Sequence, residues 1–172
     1  MSFSQTAVTL ATTAKAIVPV LALPVLGSNY FGWVGKACRM RIWGQMTTGT
    51  TPGNGIFSLL WGTGADANGT TILTNATAFA LGASQTNLTW EIDCIVRCRA
   101  VGTSGSVICH GMMSANVNLI ASTLQPVMFP TSAPAAVTID TTANNVLSPQ
   151  FQRSGSTAET MQVTEFVYEA LN

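Results

Sequence analysis

The chain has 172 residues, a length suited to one domain that can bury most of the surface its unfolded form exposes. Asp, Glu, Lys and Arg together make up 8% of it, 47% is hydrophobic, and the formal net charge is zero. Ordinary domains are about a quarter charged. This balance argues against electrostatic binding to nucleic acid and removes the surface charge that keeps free monomers apart. It points to an assembly component whose surface is covered by copies of itself or by a larger particle.

Residues 1–30 are rich in Ala, Val, Thr and Leu, contain Pro19 and Pro24, and show no hairpin signal. They read as an extended N-terminal arm with a short edge strand near 6–11, docking on a neighbour through Val18, Val20, Leu21 and Leu23. The most apolar stretch, 16–26, has about half the length a spanning helix requires and holds both prolines. No membrane segment is therefore expected, and a single Lys15 before that stretch is a poor fit to a secretory leader.

Residues 31–172 read as an all-β domain, with runs of alternating residues separated by Gly, Thr, Ser and Asn clusters. The first strong strand is 36–47, where Cys38, Met40 and Ile42 alternate with Arg39, Arg41 and Trp43. A turn at 48–55 leads to a strand at 56–62. Asn68-Gly69 is a type I′ candidate, and short strands follow at 71–75 and 77–81. The longest strand, 87–101, places Trp90, Ile92, Cys94, Val96 and Cys98 on one face and Glu91, Asp93, Ile95, Arg97 and Arg99 on the other. A turn at 102–105 returns the chain through 106–115. An irregular crossover at 116–134 carries three prolines, and strands at 136–141, 145–152 and 159–171 close the domain. This pattern fits an antiparallel two-sheet jelly-roll sandwich. The Cys and Trp spacing of an immunoglobulin-like sandwich is missing.

Few residues suggest chemistry. The four cysteines, Cys38, Cys94, Cys98 and Cys109, form no CxxC pair and read as reduced, buried, apolar residues, in keeping with assembly in a reducing cytoplasm. A cross-strand pair such as Cys38 with Cys94 stays open. The sole His110 has no GxSxG partner, and its neighbour Cys109 points to the opposite strand face, so neither a triad, a metal site nor any cofactor is expected. Glu91 and Asp93 lie about 7 Å apart along a strand, but the arginines beyond them on that face oppose general-acid duty. Two readings remain for Arg39, Arg41, Glu91, Asp93, Arg97 and Arg99. They form cross-strand ion pairs within the chain, or they set register at a protomer interface with Trp43 as anchor. An exposed aromatic such as Trp61 would instead suit a sugar platform.

The segment Val34-Gly35-Lys36-Ala37-Cys38-Arg39-Met40-Arg41-Ile42-Trp43-Gly44 resembles a strand of a family of small virion proteins in tailed bacteriophages. Further along, Thr89-Trp90-Glu91-Ile92-Asp93 with Val96-Arg97-Cys98-Arg99-Ala100-Val101-Gly102-Thr103 is similar to that family's hairpin. So are 124–134 to its proline-containing crossover, Ile139-Asp140-Thr141-Thr142-Ala143-Asn144 to a turn, and Val167-Tyr168-Glu169-Ala170-Leu171-Asn172 to its terminus. Phe151-Gln152-Arg153 and Thr164-Glu165 stand where relatives carry an aromatic-rich strand and a His, and residues 1–30 match little. The resemblance implies a jelly-roll structural protein without catalytic residues. It would be a capsid decoration (cement) protein on the exterior of the virion, binding the major capsid protein as a homotrimer. The alternative is a tail or head-fibre protein that recognises a host-surface glycan.

Overall fold

The computed structural model describes residues 6–75, 77–120 and 125–172. In chain order its strands are β1 (Val8–Thr9), β2 (Lys15–Ala16), β3 (Ala37–Thr47), β4 (Asn54–Gly62), β5 (Thr70–Thr74) and β6 (Phe79–Ala80). They continue with β7 (Leu88–Ala100), β8 (Gly105–Ala115), β9 (Val127–Phe129), β10 (Val137–Ile139), β11 (Val146–Arg153) and β12 (Thr160–Ala170). One short 3-10 turn spans Val20–Ala22. Among the described residues every strand pair is antiparallel.

Among the described residues, a larger sheet runs β1-β12-β3-β7-β8-β10, with β9 also on β8. A smaller sheet runs β2-β11-β4-β5, with β6 also on β4. The first four strands alternate between the sheets, and β11 and β12 return in the mirror order, each inserting beside an early strand. That winding is a jelly roll, with β8, β9 and β10 added beyond β7. The fold is an all-β antiparallel sandwich, as the alternation in the sequence predicts.

Alternation at period two decides what each long strand buries. In β3, Cys38, Met40 and Ile42 are at most 1% exposed, while Arg39, Arg41 and Trp43 face outward and are half-buried. In β7, Trp90, Ile92, Cys94, Val96 and Cys98 line the core. In β12 the buried set changes parity, from Met161 and Val163 to Phe166, because a bulge between Val163 and Glu165 adds one residue and re-phases the strand. A similar shift between Cys98 and Ala100 makes Arg99 the extra residue near the end of β7.

The N-terminal segment is extended, but from residue 6 it is woven into the sandwich and supplies the first strand of each sheet. Val18 and Leu23 are 0% and 5% exposed and belong to the chain's own core. Their reading as capsid contacts is corrected, because the surface that would bind is already covered. Val20 is 43% exposed and Leu21 fully so. Arg153 clamps the segment: its backbone N–H donates to Ala11 O at 2.9 Å and its Nε to Leu10 O at 3.1 Å. Leu10 N–H in turn donates to Glu159 O at 2.8 Å, and the buried Glu159 carboxylate pairs with Arg153 Nε at 2.6 Å.

Two turn expectations change. Left-handed backbone falls at Ala67 and Gly69, not at Asn68 with Gly69, so the connection from β4 to β5 is wider than a type I′ turn. It folds over the smaller sheet, pinned by the buried Gln150, whose Oε1 accepts from Ala67 N–H at 2.8 Å. In the crossover expected at 116–134, residues 127–129 form β9, and residues 121–124 lie outside the described residues, as do residues 1–5 of the arm.

Candidate functional site

Two surfaces stand out. The first is the outer face of the larger sheet. Register sets Trp43 opposite Glu91, Arg41 opposite Asp93 and Arg39 opposite Ile95. The ion pairs run diagonally from this register. Arg39 donates to Asp93 through both Nε, at 2.9 Å to Oδ1, and its Nη2. Arg41 Nη2 donates to Glu91 Oε1 at 2.6 Å, and Arg41 Nε lies 3.7 Å from Asp93 Oδ2. The Arg41 guanidinium also stacks on Trp43, 4.6 Å from the ring centroid. Asp93 is 7% exposed, so one nearly buried carboxylate lies against two guanidiniums, with Glu91 supplying the second negative charge. Arg39, Arg41, Glu91 and Asp93 thus form the cross-strand ion pairs within the chain that the sequence allows.

Arg97 and Arg99 differ from that pair. Both are exposed, and among the described residues neither makes an ion pair. The reason is register: Arg97 stands between Ala37 and Ile108, with no carboxylate within a diagonal step. Glu165 and Glu169 are likewise exposed and without an ion pair.

The second surface is the end of the sandwich where β3 and β8 begin and β7 and β12 finish. Loop residues Trp33 and Val34 are 53% and 63% exposed there, Val101 49% and Leu171 46%. Backbone bonds hold these segments together. Gly35 N–H donates to Cys98 O at 2.9 Å, and Leu171 N–H to Ala37 O at 3.0 Å. Asn172 closes the corner, accepting from Ala37 N–H at 2.7 Å and donating to Gly35 O at 3.1 Å. Lys36 Nζ sits 4.3 Å over the Trp33 ring. Leu21 and Val25 extend the same end toward the smaller sheet, where the Leu26 and Asn145 bridge and the bond from Asn29 N–H to Thr141 O tie their segment down. Of the arm residues expected to make contacts, Val20 and Leu21 are exposed, and Val25 beside them is as well. The exposure of Val34, Val101 and Leu171 is not legible in the sequence, since single apolar residues next to turns carry no periodic signal.

Chemistry is sparse elsewhere. All four cysteines are free and buried. Burial pushes the Cys38 thiol up to about 11 and raises Cys94 and Cys109 as well, so none of these three is a thiolate at neutral pH. Trp61 is 5% exposed, its Nε1 donating to Asp140 O at 3.2 Å, which corrects its reading as an exposed platform. His110 is exposed on the outer face and borders a shallow depression with Ile95, Met112 and Met128. A second depression, about 370 Å³, is lined by Trp43, Glu91, Ser114 and Asn116. Among the described residues no cluster of metal-ligating side chains forms, and no helix is long and apolar enough to cross a membrane.

No family model and no curated protein matches the chain. Among solved structures it is similar to a legume lectin-like domain from Entamoeba histolytica, at 8% identity and a TM-score of 0.33, over 79% of this chain and 73% of that one.

Proposed function

We propose that this chain is a noncatalytic structural protein of a tailed-bacteriophage particle, a capsid decoration (cement) protein that binds and stabilises the major capsid lattice as a homotrimer. The observation that carries the reading is the pairing of scarce charge with apolar side chains exposed together at one end of a rigid sandwich. Monomeric proteins seldom gather such residues into one patch. The motif resemblance supplies the kind of assembly. Attachment would rest on avidity: a trimer engaging several shell subunits turns modest contacts into one strong one. Val20 and Leu21, on the smaller-sheet side of the exposed end, are the contacts available to the shell.

The glycan-binding alternative, a tail or head-fibre protein, draws on one feature. Trp43 beside Glu91, Ser114 and Asn116 combines an aromatic face with hydrogen-bonding groups at one depression. Adding purified chain to particles that lack it distinguishes the readings. Saturable binding at hundreds of copies per particle supports decoration. Binding only to host envelopes, abolished in Trp43→Ala, supports the fibre reading and overturns decoration.

A further inference from the structure

We propose that the larger-sheet side of the exposed end, built from Trp33, Val34, Val101 and Leu171, is the surface through which copies of this chain associate with one another. This names the self-contact within the proposed homotrimer, yet its argument and its test need no particle.

The first ground is convergence. Those four residues come from three stretches of chain that are distant in sequence, and with Val20, Leu21 and Val25 they place seven of the nine exposed large apolar side chains at one end. Only Val117 and Met128 lie elsewhere among the described residues. The second ground is preorganisation. The Asn172 corner, the Gly35 to Cys98 bond and the Lys36 stack on Trp33 fix the patch before any partner arrives, so little ordering cost is added on association.

The rim identifies the occupant. Arg97 and Arg99 flank the patch on β7, whereas Glu169 lies on β12 and Asp140 follows β10. Among the described residues none of these four makes an ion pair. A rim that carries both signs at separate places complements another copy of itself, cationic stretch against acidic stretch. A surface of one sign, such as an anionic lipid headgroup layer, would be repelled by half of it. The zero net charge adds that two copies approach without long-range repulsion. An apolar centre within a polar rim is the anatomy of a protein interface.

Sedimentation equilibrium of the full chain, loaded from about 1 to 100 μM, tests this. The expected result is an oligomer, a species heavier than 18.0 kDa by a whole-number factor. Val34→Asp with Leu171→Asp should weaken association by about 30-fold or more, the loss expected of an interface centre, with far-UV circular dichroism unchanged. Arg97→Glu/Arg99→Glu and Asp140→Lys/Glu169→Lys should each associate poorly alone and regain association when mixed, which keeps the test open if the apolar variant misfolds. Leu21→Asp should leave the oligomer intact while reducing binding to particles, so failure of the self-contact and failure of the particle reading give different results. A wild-type chain that stays at 18.0 kDa throughout, or an oligomer unaffected by the folded apolar variant and the charge swaps, overturns the proposal.

Discussion

The outer face of the larger sheet and the exposed end of the sandwich treat their side chains in opposite ways. On the face, Arg39, Arg41, Glu91 and Asp93 pair with one another within the chain. At the end, Trp33, Val34, Val101 and Leu171 remain in water, although packing beside them is tight enough to bury Phe31 and Cys98 completely. The pairing on the face contributes to folding. The apolar end offers free energy that only a partner can release. In a chain with so few charges, four of the residues that look most functional in sequence pair within the fold, and the surface we propose for binding is the plain one.

Breaking the contrast should separate stability from association. The largest effect on folding is expected at Asp93→Ala, which leaves Arg39 without its acceptor and Arg41 with Glu91 alone. Loss of charge-assisted bonds at a nearly buried carboxylate should cost about 2 kcal/mol, read as a lower midpoint in urea with an unchanged slope. Arg41→Ala removes the Glu91 bond and the Trp43 stack at a more exposed site. A loss of about 1 kcal/mol is expected by the same measurement.

The sharpening experiment lies at the other region. Val34→Asp/Leu171→Asp should change stability by no more than about 0.5 kcal/mol, since both side chains lie at the exposed surface, while weakening self-association by about 30-fold or more. Should the face variants dissociate the oligomer and the end variants only unfold it, the contrast would be reversed.

The smallest effect is expected at Asp66. The Lys15 ammonium at 2.8 Å and the Ala16 N–H hold its carboxyl below the usual carboxylate range. A lowered folded-state value means that the stabilisation is present above the ordinary carboxylate value and fades as pH falls through the lowered one. At this exposed site Asp66→Asn should cost about 0.5 kcal/mol at neutral pH. The wild type and the variant should converge in acid, measured as the difference in urea midpoint across the titration.

The long strands were legible because alternation at period two is a strong signal. The strand expected at 36–47 is β3, Ala37–Thr47, and that at 159–171 is β12, Thr160–Ala170. Strands of two or three residues such as β2 and β9 have no period to read, and they exist only because β11 and β8 offer an edge. The run at 16–26 is apolar without periodicity, so nothing in it separates Val18 and Leu23, which are core, from Leu21, which is exposed. Arg39 with Arg41 and Arg97 with Arg99 are the same pattern in sequence. Only register distinguishes them, because β7 places its two carboxylates beside the first pair and none beside the second.

Cryo-electron microscopy of a particle that carries this chain tests the central claim most directly. The account predicts density of this sandwich at three-fold positions across the shell, copies meeting through Val34 and Leu171 and the Leu21 side turned to the capsid. Density confined to the tail or to fibre tips would contradict it.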